Sequence, residues 1–207
     1  MAVVDRVPNR LTRVQSRAQT RQRLVDAAMR VFARQGYAGA SVNEIAEEAG
    51  YTVGALYSNF ATKDELFWAA FEQHCTDELA DLETLVATTG GWEELIAAVA
   101  ERFTTIDEQH RQWWWLSVEL WLYAQRHPET AHRHAAVQEQ TRAVIARAVT
   151  RDGHPADTEL VALIHALWTG VMLYRLADPL AIAPSAFGRA ARLLAADPPA
   201  DTPPAAR

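Results

Sequence analysis

Cysteine is almost missing from this 207-residue chain: Cys75 stands alone. A single thiol excludes an internal disulfide and fits a reducing compartment, so a cytoplasmic location is expected. Glycine and proline are scarce, nine of each, and β-branched runs are rare while alanine and leucine abound. That balance predicts an all-α globular fold. No run of 18 apolar residues occurs, so no membrane span is expected; the most apolar stretches, Trp113–Tyr123 and Leu160–Tyr174, are interrupted by Glu119 and His165. Charges spread through the first 23 residues leave no apolar segment for a signal peptide. Catalytic signatures are lacking too. There is no G-x-S-x-G, no Gly-rich phosphate loop and no H-E-x-x-H, so neither an enzyme nor a cofactor is expected. His132 and His134 fall on different helix faces without the further ligands of a tetrahedral metal site, so no metal is expected either.

Lysine is rarer still than glycine, with Lys63 the sole example, and arginine carries the positive charge. The net charge of −6 argues against a nucleic-acid partner, but its distribution argues for one. Residues 1–63 hold eight arginines and Lys63 against five carboxylates, giving +4; residues 64–207 hold eleven arginines against 21 carboxylates, giving −10. A basic N-terminal third joined to an acidic remainder is expected of a DNA-binding domain attached to something else.

The stretch Ser41–Phe60, SVNEIAEEAGYTVGALYSNF, reads as helix, turn, helix. Val42, Ile45, Ala46 and Ala49 follow the i, i+3, i+4, i+7 spacing of one buried face. Gly50 can take the left-handed conformation that stops this helix. Thr52 is placed to cap the next helix, in which Leu56 and Phe60 anchor the inner side. A short exposed second helix of this kind lies in the DNA major groove. Ahead of it, Leu24, Ala27, Ala28, Val31 and Phe32 predict a helix over about residues 16–34, ended at Gln35-Gly36-Tyr37. Arg17, Arg21 and Arg23 oppose the dipole of that helix, and phosphate contact accounts for them better than helix stability does. Residues 1–16 read as a flexible basic arm. Ser41 with Glu44, and Thr62 with Glu65, have capping-box spacing. The helix after Thr62 runs to about Ala87.

The segment IAEEAGYTVGALYSNFATKDELF, within residues 17–71, resembles the signature of the tetracycline-repressor (TetR) family of bacterial regulators. Gly50, Leu56, Tyr57, Phe60 and Lys63 carry the likeness. The resemblance implies a three-helix DNA-binding domain, a helical ligand-binding domain and a homodimer. By resemblance and geometry Ser41, Thr52, Tyr57 and Lys63 would hold phosphates, and Val53 and Ala55 would offer methyl groups to thymine. Gly54 would let the helix approach the DNA backbone. Asn59 would pair with adenine or a phosphate; histidine is common there in the family, which leaves its base preference open.

The remainder predicts six helices over residues 63–196, forming a ligand-binding and dimerisation domain attached to the helix-turn-helix domain of residues 17–62. Residues 197–207, DPPADTPPAAR, read as a disordered tail. Three consecutive tryptophans, Trp113–Trp115, sweep about 200° of helix surface. So apolar a helix is expected to be buried on most sides, in a large aromatic core or around an apolar ligand. Glu119 needs a partner, either Arg102 or Arg175 or a ligand. Phe103, Trp114, Trp115, Glu119, Leu122, His165, Trp168 and Met172 are the candidate pocket residues. Between Leu160 and Tyr174 two apolar stripes alternate, one for the core and one for a partner. Leu160, Ile164, Leu167 and Val171, with Phe187 and Ala191 of the last helix, are assigned to the dimer interface. These observations together predict a repressor released from a palindromic operator by a small apolar or amphipathic effector. The alternative is a ligand-independent DNA-binding dimer whose aromatic cluster is only core.

Overall fold

A computed structural model of the chain describes residues 12–102, 108–151 and 157–196; most of the expected arm, Phe103 and residues 197–207 fall outside them. The described residues form nine helices and no strand: α1 (Arg13–Gly39), α2 (Val42–Glu48), α3 (Val53–Asn59), α4 (Lys63–Thr88), α5 (Trp92–Arg102), α6 (Glu108–Arg126), α7 (Pro128–Arg151), α8 (Thr158–Ala177) and α9 (Ser185–Ala196). Two compact units divide within α4, between Gln73 and His74.

In the first unit, α1 begins at Arg13, three residues before the expected start near Ser16. Thr12 and Gln15 explain the difference by closing a capping box: Gln15 N donates to Thr12 Oγ1 at 3.2 Å, and Thr12 N donates to Gln15 Oε1 at 2.9 Å. Arg13 is therefore helical and not part of an arm. Leu24, Ala27, Ala28, Val31 and Phe32 are buried, as their spacing predicts. The helix breaks at Gly36, which has φ +70° and ψ 174°. Gly50, at φ +74°, makes the tight turn after α2; a side chain in that left-handed region costs about 1–2 kcal/mol. Ile45, Leu56 and Phe60 close the small core. Glu48 fastens α2 to α1 by accepting from Arg30 Nε and Arg34 Nη2, each at 2.6 Å. The hydrogen bond from Arg34, then that from Arg30, hold the Glu48 carboxyl below its ordinary value despite partial burial.

The second unit packs α5, α7, α8 and α9 around Trp92, Ile96, Val149, Ile164, Met172, Phe187 and Ala191. Helices α5 and α9 approach closely at Gly188, where an added Cβ would stand 2.7 Å from Ile96 Cγ2. Arg192 Nε donates to Glu93 at 2.5 Å on the same interface. Arg175 donates to the carbonyls of Pro179 and Ile182, at 2.9 and 2.6 Å, and closes the α8–α9 loop.

This packing bears on three expectations. Leu160, Ile164, Val171, Phe187 and Ala191, assigned to a dimer face, are buried in the unit's own core, and Leu167 packs against it. The outward stripe of α8 is Leu163, Ala166, Leu173 and Tyr174, with Leu163 44% and Tyr174 64% exposed. Second, α6 is not buried on most sides. Its inner stripe is Trp113, Leu116, Leu120 and Ala124, while Trp115 (46%), Trp121 (48%) and Leu122 (45%) face outward. Third, α8 has mean hydropathy 1.6 over an 18-residue window of which a third is buried, and is long and apolar enough to cross a bilayer by length and composition only, as core helices also are.

Candidate nucleic-acid interface

Helix α3 has only seven residues, and side-chain caps hold both of its ends. Thr52 Oγ1 accepts from Ala55 N at 3.2 Å, satisfying a first-turn donor. At the other end Asn59 Nδ2 donates to the Ala55 carbonyl at 2.9 Å, and Asn59 Oδ1 is buried without a partner. Asn59 Nδ2 is thus engaged within its own helix. Ser58 Oγ donates to the same carbonyl at 2.7 Å. What α3 leaves outward is Thr52, Gly54, Tyr57 and Ser58, with Val53 and Ala55 half-buried beside them. Tyr57 is 49% exposed although Leu56 next to it is fully buried. Gly54 keeps that surface low, since an added Cβ would meet only Thr52 Oγ1, at 3.8 Å.

The arginines of α1 gather at the C-terminal end of α3. Arg17 Nη2 donates to the Ser58 carbonyl at 3.4 Å, and the Arg21 guanidinium lies 4.3 Å from the centre of the Phe60 ring. Both side chains remain exposed. Ser41, also exposed, caps α2 by accepting from Glu44 N at 3.1 Å. Its capping box is only half formed, because Glu44 Oε1 accepts instead from Gln35 Nε2 at 2.6 Å.

Lys63 behaves differently from the arginines. Its Nζ donates to the Tyr37 carbonyl at 2.5 Å and stands 4.4 Å above the Tyr37 ring. Burial pushes this ammonium down from its ordinary value, with Asp64 opposing. The Tyr37 hydroxyl in turn donates to Asp64. Lys63 and Asp64 therefore fasten the start of α4 to the residue just past the α1 break. Neither the periodicity nor the charge count pointed to this contact; only the proximity of the Gly36 break to the α4 N-terminus makes it.

In the second unit the candidate pocket residues separate into two groups. Trp114, Trp168 and Phe187 form a chain of rings, 6.1 and 5.8 Å between centres, beside the buried Met172. Trp115, Glu119 and Leu122 lie together on the outer face of α6, apart from that chain. Arg102 reaches Glu78 and Asp81 of α4 at 3.6 and 4.0 Å. His165 is half-buried, and burial is the main cause that keeps its imidazole below the usual histidine value. A pairing absent from the sequence reading joins α4 to α6: His74 stacks flat on Trp113, 4.0 Å between centres and 14° between planes. Burial pushes His74 down to about 4, Asp77 opposing and His110 assisting. An open groove of about 520 Å³ between α4 and α7 is lined by Glu83, Val86, Ala87, Val144 and Arg147, with Arg147 paired to Glu83 across it.

Comparison with known proteins agrees with this architecture. Residues 24–70 match the family described as bacterial regulatory proteins, tetR family, and residues 87–197 match the tetracyclin repressor-like C-terminal domain. The HTH-type transcriptional activator FasR of Mycolicibacterium smegmatis is 32% identical over 108 residues, 52% of this chain and 48% of FasR. The chain thus spans about half the length of that relative. A transcriptional regulator from Rhodococcus sp. Rha1 superposes with a TM-score of 0.67 at 25% identity, covering 85% of this chain and 94% of that one. The multidrug binding protein EbrR, complexed with proflavin, gives 0.62 at 27% identity, covering 84% and 99%. With a helix-turn-helix flanked by arginines and both halves of the chain matched, the protein belongs to the tetR family of bacterial regulatory proteins.

Proposed function

We propose that this chain is a homodimeric, cytoplasmic repressor that a small apolar or amphipathic molecule releases from a palindromic operator. The observation that carries the reading is the outward surface of α3 with Arg17 and Arg21 at its end. Thr52, Tyr57, Ser41 and the two arginines supply phosphate donors, while Val53 and Ala55 supply the apolar contacts that distinguish thymine. Asn59 serves as a helix cap. Lys63 contributes mainly by fixing the start of α4, with its remaining N–H groups as the only ones open to phosphate.

The partner face is the outward stripe of α8: Leu163, Ala166, Gly170, Leu173 and Tyr174. These residues recur at helical spacing, and Gly170 lets a second backbone come close, since nothing stands within 4 Å of its absent Cβ. A twofold pairing through this stripe presents two α3 helices to two half-sites. The effector site is the ring chain of Trp114, Trp168 and Phe187 with Met172, where apolar surface and the half-buried His165 meet. That EbrR holds proflavin supports a small-molecule effector for a chain of this architecture. Because α4 is continuous from the DNA-binding unit into the effector unit, a ligand that prefers one arrangement of α4 shifts the spacing of the two readers.

Gel shift on a palindromic operator, with sedimentation in parallel, tests the reading. Repression requires ligand to lower operator affinity while the dimer persists. Ligand-strengthened binding would make the protein an activator, and ligand-induced dissociation would move control from α4 to α8. If no compound of a hydrophobic library raises the melting temperature, the aromatic chain is only core and the ligand-independent reading replaces this one.

A further inference from the structure

The three helices of the first unit that form the reader converge on Tyr51. Helix α2 ends in a Schellman turn: Gly50 N donates to the Glu47 carbonyl at 2.9 Å, and Tyr51 N donates to the Ala46 carbonyl at 2.8 Å. The Tyr51 backbone is thereby bound to α2, and the next residue, Thr52, is the N-cap of α3. Its side chain reaches α1, where the hydroxyl stands 3.4 Å from Thr20 Oγ1. Thr20 Oγ1 also lies 3.0 Å from the Ser16 carbonyl. That carbonyl can only accept, so it takes the one Thr20 hydroxyl proton, and Tyr51 supplies the other bond as donor. From Arg13 to Arg23 every residue of α1 is exposed except Thr20, which is half-buried at this contact.

Other contacts of the unit leave the tilt of α3 open. Glu48 binds α1 to α2 through Arg30 and Arg34, and α1 packs more extensively on α2 than on α3. Leu56 and Phe60 seat α3 on the core. Apolar burial is non-directional, so it permits the helix to rock on that seat. At the C-terminal end of α3 the ties to α1 are Arg17 on the Ser58 carbonyl and Arg21 over the Phe60 ring. Both are exposed cations, and a phosphate that draws them outward weakens those ties. The Tyr51–Thr20 bond is uncharged and half-buried, so a phosphate finds no cation there to draw away.

We propose that Tyr51 is a positioning residue for base reading: its hydroxyl, held on Thr20, sets the tilt of α3 against α1 when Arg17 and Arg21 turn to the DNA backbone. The side chain acts through α3 and touches neither base nor phosphate. This rests on the reading of α3 as the helix that enters the major groove. The bond is long, so the expected effect is that of a weak neutral pair, about three-fold for each α3 engaged.

Selection by the full chain from a duplex library randomised over about 20 base pairs, enough for two half-sites, supplies the probe. Affinity for the enriched duplex is then compared with affinity for a shuffled duplex of the same composition. Tyr51→Phe should lower that ratio by about three-fold for each α3 engaged and broaden the enriched sequence. Its melting temperature, and its salt slope on the shuffled duplex, should match the parent's. Thr20→Val should lower the ratio equally, Thr20→Ser should restore it, and the double variant should lose no more than either single one. An unchanged ratio in Tyr51→Phe would overturn the proposal, and with a lowered melting temperature it would mark a merely stabilising contact. A salt slope smaller by about 1 would place the hydroxyl on a phosphate instead. Additive losses in the double variant would give the two hydroxyls separate roles and overturn it too. If the parent enriches no sequence, the reading of α3 as the reader falls as well; if it enriches one and Tyr51→Phe matches it, only this inference falls.

Discussion

The first unit surrounds a small apolar core with polar and cationic groups, Arg17, Arg21, Thr52 and Tyr57 among them, while the second exposes Trp115, Trp121, Leu122, Leu163 and Tyr174 and draws histidine and arginine partly inside. A surface built for a polyanion in water needs donors on the outside. One built to meet another protein surface and a small molecule needs apolar area outside and a few selective polar groups within. The same chain therefore follows opposite rules on either side of Gln73, and the acid–base imbalance between its segments is the trace of that division.

The largest expected effect sets the two stripes of α8 against each other. Leu163→Glu, on the outward stripe, should abolish the dimer in sedimentation and weaken operator binding by roughly 100-fold, because one particle no longer engages two half-sites. Ile164→Ala, its buried neighbour, should instead cost about 2–5 kcal/mol of stability and leave dimers intact. If Ile164→Ala dissociates the dimer without destabilising the protomer, the partner face returns to the inner stripe. Next in size, Gly188→Ala should lower the stability of the second unit by about 1–3 kcal/mol through its clash with Ile96. A melting temperature equal to the parent's would show that α5 and α9 can separate without cost.

Acid separates the two units. The folded His74 sits at about 4, below its unfolded 6.5, so the unfolded state takes up the proton first. Stability of the second unit should fall as pH drops from 6.5 to 4, by at most about 1.4 kcal/mol per pH unit from this group. His74→Phe should flatten that slope. Glu48 is lowered from 4.5 by Arg34 and Arg30, so its contribution is complete above 4.5 and disappears only as pH falls through its lower folded value. Unfolding of the first unit ahead of the second on acidification would contradict this ordering.

Salt gives the smallest effect. Arg17→Ala should reduce the slope of log affinity against log salt by about 1. Lys63→Ala should change that slope less, because its ammonium is committed to the Tyr37 carbonyl, and should loosen the start of α4. Equal slope changes would place Lys63 on phosphate as fully as Arg17.

Much of the first unit was legible in the sequence. Gly50, Thr52, Ser41, Leu56 and the i, i+3, i+4 runs act within one or two turns, and the chemistry of a cap or a left-handed turn is complete in a few neighbouring residues. The Thr12–Gln15 box was equally local but lay outside any apolar run, so periodicity passed over it. Asn59 and Lys63 suit DNA by residue type and, for Lys63, by the family resemblance. Their intramolecular partners, the Ala55 carbonyl and the Tyr37 carbonyl, depend on backbone geometry that residue type does not encode.

The sequence by itself determined the helix content, the turn that makes the reader and the charge division. It also placed two apolar stripes on α8. Which stripe turns inward was settled by α7 and α9, and which side of the tryptophan helix stays in water by α7, α8 and the His74 stack. Two nearly equal apolar faces differ little in hydrophobic free energy, so only the elements that pack against them choose.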